Sequence, residues 1–180
     1  MQHIPNILTC SRIAIVPLIV LFMLIDTYTL KYCVFALFLL GGISDFFDGM
    51  LARRWKQVSK FGSFLDPVAD KALVCATLVM LVTTGTIEGY HAISVVVIIT
   101  REILISATRE YAAMNNISLT SSQSAKTKTF MQMTGINTLL FSRIFPTYEI
   151  IHTFGIIFLW IAALLAIYSA SKYLIHTMKI

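Results

Sequence analysis

The sequence predicts an all-α integral membrane protein with six transmembrane helices, and three observations lead to this prediction. Of the 180 residues, 57% are hydrophobic and only 13% are charged, and the mean hydropathy is +0.80; soluble domains rarely have this composition. Six apolar stretches each approach the roughly 20 residues that a helix needs to cross a bilayer. Residues that favour turns separate these stretches, as expected where helices end.

The predicted helices follow one another with short connections. They span about residues 6–26, 31–55, 64–86, 91–114, 125–145 and 149–175. The breaks fall at Asp26-Thr27-Tyr28, at Gly85 to Gly89, at Asn115-Asn116 and at Pro146. No repeat, linker or low-complexity tract divides the chain, so we expect a single membrane domain over residues 1–180.

The first helix has an unusual start. Asn6 is expected to be its N-cap, and Thr9 follows on the same face. Pro17 is able to divide the stretch, because proline lacks the N–H that a helix interior uses. We therefore expect residues 4–15 to form an N-terminal interfacial segment before the first crossing. A capped helix start without such a segment is the alternative.

The distribution of lysine and arginine predicts the orientation, since these residues accumulate in cytoplasmic connections. The connections after the second and fourth helices and the C-terminal end are basic, whereas the opposite side carries only Lys31 and Arg143. Both termini are therefore expected to be cytosolic in a multi-pass protein of the cytoplasmic (inner) membrane. The net charge of +5 suits contact with the anionic headgroups of a lipid bilayer. No soluble basic surface remains that would bind nucleic acid.

Four aspartates stand in or beside the apolar stretches of the second and third helices. They are Asp45, Asp48, Asp66 and Asp70. A carboxylate near lipid is costly, and four of them without a purpose are hard to explain. Divalent cations between the carboxylates would remove most of that cost. The aspartates therefore predict a metal site, and sites of this kind usually serve phosphate chemistry.

The spacing of these aspartates places each pair on one helix face. Asp45 and Asp48 are three residues apart, which is close to one helical turn. On the next helix, Gly62, Asp66 and Asp70 recur every four residues and form one stripe. Four carboxylates suit one or two hard divalent cations, Mg²⁺ or Mn²⁺, with coordination positions left for phosphate oxygens.

Depth along the two helices decides whether the pairs can meet. Asp45 lies about 16 Å from Lys56, and Asp70 about 15 Å from Lys60, at 1.5 Å per helical residue. Because a short connection makes the helices antiparallel neighbours, we expect the four carboxylates at a similar depth, facing each other. Pro67 is expected in the first turn of the third helix, where its missing N–H costs nothing.

The aspartates belong to a longer pattern with fixed spacings. It reads Asp45-x2-Asp48-Gly49-x2-Ala52-Arg53-x8-Gly62-x3-Asp66-x3-Asp70. This pattern resembles the motif of the CDP-alcohol phosphatidyltransferase family at all eight of its fixed positions, and the six-helix layout extends the likeness to most of the chain. The resemblance implies an enzyme that transfers the phosphatidyl group of CDP-diacylglycerol to an alcohol while CMP leaves.

The resemblance also implies a role for each matching residue and a homodimer. Asp45, Asp48 and Asp66 are implied as ligands of Mg²⁺ or Mn²⁺, with two ions expected. Asp70 is implied both as a ligand of the second ion and as the catalytic general base. The active site is expected to face the cytosol, because the basic connection beside the aspartates is predicted to be cytosolic. The residues expected to bind the CDP moiety are Gly49, Ala52, Arg53, Gly62, Asn6 and Thr9.

Cations in the second half of the chain predict an anionic acceptor. Arg101 and Arg109 are eight residues apart on the fourth helix and point nearly the same way, and Lys126 begins the fifth helix. We expect Arg109 and Lys126 to bind the phosphate of the acceptor, with Arg101 supporting them. With the N-terminal 5-PNILTCSR-12, this arrangement resembles the family members that use glycerol 3-phosphate.

Arg101 raises a separate question, because its expected position is near the middle of the bilayer, where a cation needs a partner. The adjacent Glu102 points about 100° away on a helix. The partner of Arg101 is therefore expected elsewhere in the chain.

Several alternatives stay open. One alternative is that three of these cations only set the orientation; they are Arg109, Lys126 and Lys128. Another is that the acceptor is inositol phosphate, serine or phosphatidylglycerol. A divalent-cation carrier is an alternative of a different class, since intramembrane carboxylates also line ion pathways. The clustering of the aspartates toward one membrane face favours an enzyme. The Gly41-Gly42 pair suits packing within one subunit as well as dimerisation.

Overall fold

The computed structural model shows an all-helical chain, as predicted. It describes the backbone of residues 4–55, 60–115 and 123–178, and the side chains of residues 13–43, 68, 69, 71–112, 114, 115 and 123–172. Within these backbone ranges there are six α-helices, one short 3-10 turn at Gly89–His91 and no strand. The helices are α1 (Ile4–Ile25), α2 (Tyr28–Trp55), α3 (Lys60–Thr83), α4 (Ala92–Met114), α5 (Gln123–Ser142) and α6 (Glu149–Met178).

The helices end at the turn residues that the sequence analysis identified. Asp26 follows α1 with φ 51°, a left-handed conformation that aspartate tolerates better than most residues. Gly85 and Gly89 lie between α3 and α4 with φ 68° and 55°, where the absence of a Cβ removes the steric penalty. α5 ends at Ser142, shortly before Pro146. The predicted helix boundaries are therefore correct to within about four residues.

Two prolines lie inside helices rather than at their ends. α1 continues through Pro17, so the expected helix break is absent. Pro67 is the eighth residue of α3, so its predicted position in the first turn is wrong. Asn6 lies within α1 and is not its N-cap. Long helices in apolar surroundings tolerate proline, because neighbouring groups satisfy the freed backbone carbonyl. The interfacial placement of residues 4–15 stays a prediction.

Two helical stretches among the described residues are long and apolar enough to cross a membrane. Gly89–Ala112 and Glu149–Lys172 have 24 residues each, and the most apolar 18 consecutive residues in them have mean hydropathies of 1.6 and 2.5. Helices of this length reach about 36 Å, beyond the roughly 30 Å of a hydrocarbon core. Shorter apolar helical stretches cover Ile13–Ile25, Tyr28–Ile43 and Lys71–Thr83. Six crossings and cytosolic termini stay predictions.

The first of two compact units contains Met1–Thr86 and Leu140–Thr147. Its core forms where α1 packs against α2 and α3, with Ile19, Phe38 and Leu78 fully buried. α2 also approaches α3 closely at Gly41, where a Cβ would lie 2.8 Å from Leu73 Cδ2. Gly41 thus allows close packing within one subunit, which was one of the two roles expected of the Gly41-Gly42 pair.

An ionic cluster joins the helix ends of this unit, and we call it the Asp26 cluster. Asp26 accepts a hydrogen bond from Arg143 and lies 3.6 Å from the Lys31 Nζ. These are the two cations that the sequence analysis placed on the outer side. The cluster ties the connection between α1 and α2 to the segment that follows α5.

The second compact unit contains Ile87–Leu139 and Tyr148–Ile180. α4 packs against α6, and Trp160 Nε1 donates to His91 Nδ1 at 3.1 Å. α5 and α6 meet at two glycines: a Cβ on Gly135 would lie 3.2 Å from the Leu159 backbone N, and one on Gly155 2.7 Å from Leu139 Cγ. Close backbone contact of this kind requires small residues. The expectation of a single domain over the whole chain stays a prediction.

Candidate functional site

The predicted metal ligands lie on α2 and α3. Asp45 and Asp48 belong to α2, and Asp66 and Asp70 to α3. Their side chains lie outside the described residues, so their roles as ligands and as general base stay predictions. The same holds for the residues expected at the CDP moiety, which are Gly49, Ala52 and Arg53 on α2, Gly62 on α3, and Asn6 and Thr9 on α1.

The contact between Gly41 and Leu73 fixes the helical register beside this acidic motif. Asp45 follows Gly41 by four residues on α2, and Asp70 precedes Leu73 by three on α3. Residues three or four apart share a helix face, so both aspartates occupy backbone positions on the faces that meet at Gly41. They lie about 6 Å and about 4.5 Å from this contact along their helices. The two acidic stripes therefore begin at nearly the same level.

A second group of charged residues lies at the junction of α4, α5 and α6. Arg101 on α4 donates from Nη2 to Ser169 Oγ on α6 at 3.2 Å, and from Nη1 to Glu102 Oε1 at 3.4 Å. Lys128 on α5 donates to the same Glu102 oxygen. We call these four residues the Glu102 cluster. One carboxylate oxygen thus contacts two cations from different helices.

The charged side chains of the Glu102 cluster are largely withdrawn from solvent. The side chains of Arg101, Glu102 and Lys128 are only 9%, 13% and 2% exposed, and Ser169 is fully buried. Among the described side chains, two cations thus share one carboxylate. One turn after Lys128, the buried Gln132 carries an amide oxygen with no hydrogen-bond partner. Charges in such surroundings interact strongly, because water screens them poorly.

The structure distinguishes the three residues predicted to bind the acceptor phosphate. Arg109 and Lys126 are exposed, whereas Arg101 is buried. The expectation that the partner of Arg101 lies elsewhere in the chain is correct for Ser169. The adjacent Glu102 is nevertheless a second partner, because the long side chains of Arg101 and Glu102 reach each other around the helix. The roles of Arg101, Arg109 and Lys126 in binding an acceptor stay predictions.

The Glu102 cluster was not predicted from the sequence. Lys128 was expected near the acceptor site or as a charge that sets the orientation, whereas this side chain is almost fully buried. A signal was present, because an acidic residue in an apolar helix needs a cationic partner. The sequence does not show which cation is the partner of Glu102, since Glu102 and Lys128 are 26 residues apart and only tertiary packing brings them together.

Comparison with known proteins assigns the chain to a family. The model of the CDP-alcohol phosphatidyltransferase family matches residues 2–168. A CDP-diacylglycerol–glycerol-3-phosphate 3-phosphatidyltransferase of Rickettsia bellii is 38% identical over 172 residues, which cover 96% of this chain and 93% of the relative. The protein of that name from Sodalis glossinidius is 38% identical over 178 residues, with the same coverage.

A plant relative extends this comparison. The CDP-diacylglycerol–glycerol-3-phosphate 3-phosphatidyltransferase 2 of Arabidopsis thaliana is 36% identical over 182 aligned residues, which cover 95% of this chain and 78% of the relative. The resemblance that the aspartate pattern indicated is confirmed, and a phospholipid-synthesising enzyme is favoured over a cation carrier. The chain is thus a transferase that belongs to the CDP-alcohol phosphatidyltransferase family.

Proposed function

We propose that this chain transfers the phosphatidyl group of CDP-diacylglycerol to glycerol 3-phosphate, forming phosphatidylglycerophosphate and releasing CMP. The observation that carries the proposal is the name shared by relatives that match more than nine tenths of the chain. The cations of α4 and α5 agree with an acceptor that bears a phosphate. We further propose that the enzyme is a homodimer that crosses the cytoplasmic membrane six times, with both termini and the active site facing the cytosol.

The residues of α2 and α3 fit a site for divalent cations. Asp45, Asp48, Asp66 and Asp70 provide hard oxygen donors, which Mg²⁺ and Mn²⁺ prefer. The approach of the two helices at Gly41 supports a common site. Asp45 and Asp48 follow this contact on α2, and Asp70 and Asp66 precede it on α3. When bound, two such ions would neutralise the pyrophosphate and stabilise the departing CMP.

The proposed reaction is a displacement at phosphorus. The acceptor hydroxyl oxygen forms a bond to the phosphorus that carries the diacylglycerol. The bond from this phosphorus to the bridging oxygen breaks, and its electron pair leaves with CMP. The Asp70 carboxylate accepts the hydroxyl proton as general base. Arg53 binds a phosphate of the CDP moiety, and the small residues Gly49, Ala52 and Gly62, with Asn6 and Thr9, line that moiety.

The acceptor would be held by cations of α4 and α5. Arg109 and Lys126 are exposed and are therefore accessible to a phosphate arriving from the cytosol. Arg101 is buried and anchored on Ser169, so it contributes a fixed positive charge. A phosphate monoester offers several acceptor oxygens, which arginine can bind in bidentate fashion. Serine has no phosphate and would not make use of these cations.

A direct assay with competing acceptors tests the proposal. Purified enzyme receives CDP-diacylglycerol, Mg²⁺ and one of four acceptors: glycerol 3-phosphate, inositol phosphate, serine or phosphatidylglycerol. We expect CMP release with glycerol 3-phosphate and little with the others. Release with another acceptor and none with glycerol 3-phosphate would show that the acceptor assignment is wrong, while the family assignment would stand.

The substitution Asp70→Asn tests the general base. It keeps the shape of the side chain but removes its affinity for a proton, so we expect turnover to fall by about 10²-fold or more. Binding of CDP-diacylglycerol, measured by protection against thermal unfolding, should persist in part. The control is Asp26→Asn, the same change at an exposed carboxylate, which should keep near-normal turnover. Normal turnover of Asp70→Asn would remove this residue from the base role.

The metal ligands are tested separately by Asp66→Asn. A lost carboxylate ligand weakens metal binding, so the Mg²⁺ concentration that supports half-maximal activity should rise along with a loss of rate. A titration with Mg²⁺ and Mn²⁺ measures both effects. An unchanged metal dependence would argue against Asp66 as a ligand.

A further inference from the structure

The Asp26 cluster borders a small pocket beside the C-terminal end of α1. Apolar residues of α1, α2 and α5 line this pocket together with the three charged residues of the cluster; they are Phe22, Met23, Val34 and Leu140. Its volume of about 10 Å³ is room for one oxygen-sized group. A larger ligand would therefore insert a single atom and lie over the rim, so the rim determines what can bind.

The rim of this pocket carries more positive than negative charge. Asp26 contacts Arg143 through Oδ1 and Lys31 through Oδ2, and no other described carboxylate forms an ion pair with either cation. Among the described side chains, two cations and one carboxylate leave one positive charge that an anion can neutralise. A guanidinium has five N–H donors, so a second acceptor can bind Arg143 while its pair with Asp26 persists.

Apolar side chains flank the cluster and face outward. On α1, the exposed residues Leu21, Leu24 and Ile25 share one helix face. On α2, the hydroxyl oxygens of the exposed Tyr28 and Tyr32 lie 2.9 Å apart. Tyrosine is enriched where a membrane meets water, because its ring is apolar and its hydroxyl is polar. A charged rim with an apolar flank suits a ligand that is itself amphipathic.

The cluster lies far from the acidic motif along the same helix. Lys31 precedes Asp45 by 14 residues on α2, which is about 21 Å of helix. In the proposed placement across the membrane, the cluster therefore lies at the outer leaflet, whereas the active site faces the cytosol. A ligand of the cluster would be separate from both substrates of the proposed reaction.

We propose that Lys31 and Arg143 bind the phosphate of an anionic phospholipid of the outer leaflet. One phosphate oxygen enters the pocket between the two cations, and an acyl chain lies along the exposed apolar face of α1. Asp26 does not touch the lipid, because two anions repel each other, and it competes with the phosphate for both cations. A soluble phosphate would leave the apolar flank unused. The inference rests on the proposed placement in the membrane and not on the proposed reaction.

Photo-crosslinking tests this site directly. Phosphatidylglycerol with a diazirine in one acyl chain is titrated onto the purified full-length protein in neutral detergent, and mass spectrometry locates the cross-links. We expect saturable cross-linking to residues 21–25. For Arg143→Gln, the half-saturating lipid concentration should rise about tenfold, because a charged hydrogen-bond donor is lost.

Lys172→Gln is the matched control, since Lys172 is an exposed cation on α6. Its half-saturating concentration should stay within about twofold of the wild type. Equal rises in the control and in Arg143→Gln would mean that positive charge attracts the lipid anywhere on the surface, and would overturn the proposal. If Arg143→Gln does not fold, Lys31→Gln takes its place in the same comparison, with the same expected direction.

Asp26→Asn provides a test in the opposite direction. It removes the competing anion, so the half-saturating concentration should fall by about twofold to fivefold, as expected of an exposed ion pair. If Asp26→Asn and Arg143→Gln both weaken lipid binding, the cluster serves only the fold, and the proposal is wrong.

Competition with unlabelled compounds identifies the ligand class. Phosphatidylglycerol should abolish the cross-links, whereas phosphatidylcholine at the same concentration should compete several-fold less, because choline brings a positive charge beside two cations. Inorganic phosphate should not compete. Equal competition by phosphatidylcholine, or full competition by phosphate alone, would overturn the assignment to an anionic lipid.

Catalysis and cross-linking are measured separately in the wild type. Cross-links to residues 21–25 without CMP release from glycerol 3-phosphate would contradict the proposed function and leave the lipid site intact. Normal CMP release without these cross-links would contradict only the lipid site.

Discussion

Two ionic clusters among the described residues combine the same types of charge in different surroundings. The Asp26 cluster and the Glu102 cluster each join one carboxylate to one arginine and one lysine. The Asp26 side chain is 47% exposed and lies at helix ends, whereas that of Glu102 is 13% exposed and lies between three helices. The comparison predicts that burial, more than the number of charges, determines how much each cluster contributes to stability.

The physical reason is the dielectric response around each carboxylate. At an exposed site, water and salt screen the attraction, and such pairs contribute about 0–1 kcal/mol. At a buried site, the same charges interact strongly, and removing one partner leaves another without compensation. The Asp26 cluster is therefore expected to be tolerant of substitution, whereas the Glu102 cluster is expected to be sensitive.

The largest expected difference concerns the two carboxylates themselves. Glu102→Gln should lower the free energy of unfolding by about 3–5 kcal/mol, as for other buried pairs, and Asp26→Asn by at most about 1 kcal/mol. Thermal unfolding of the purified proteins in detergent measures both. Equal losses in the two variants would break the comparison, because exposure would then have no influence.

A smaller effect is expected at the neutral member of the buried cluster. Ser169→Ala removes the oxygen that accepts the hydrogen bond from Arg101 Nη2, and a buried donor left without its partner costs about 1–3 kcal/mol. Ser171→Ala is the control, because Ser171 is exposed on the same helix. The two unfolding curves should differ; if they coincide, Ser169 does not hold Arg101.

The smallest expected effect is that of salt. Raising the salt concentration from about 0.1 M to about 1 M shortens the Debye length from about 10 Å to about 3 Å. The difference in melting temperature between the wild type and Asp26→Asn should shrink, while that between the wild type and Glu102→Gln should persist. A parallel decrease of both differences would indicate that water reaches Glu102 as readily as Asp26.

Local signals made much of the fold predictable. Asp26, Gly85 and Gly89 have positive φ angles at the predicted breaks, because few residues adopt this conformation easily and the chain must turn there. The effects expected of Pro17 and Pro67 were wrong, since rules for proline in water assume that a freed carbonyl has no other partner. Inside a long helix among apolar neighbours, that assumption fails.

The candidate site was predictable only where its residues are close in sequence. The aspartates of α2 and α3 form a pattern with fixed spacings, so the sequence alone indicates their chemistry. The pair of Lys128 and Glu102 depends on how α5 lies against α4, and no spacing encodes that contact. A helical wheel also fixes only the direction of Cβ, which is why the contact of Arg101 with Glu102 was not expected.

Gly41 lies where α2 approaches α3, beside the proposed metal ligands. The gap between α2 and α3 at this point is bounded by a hydrogen atom on one side and the tip of Leu73 on the other. A bulkier residue at position 41 would act as a spacer a few ångströms from the proposed ligands. Ca²⁺ forms longer bonds to oxygen than Mg²⁺ does. The residue at position 41 would therefore influence which of the two ions the proposed site prefers, without a change in any carboxylate.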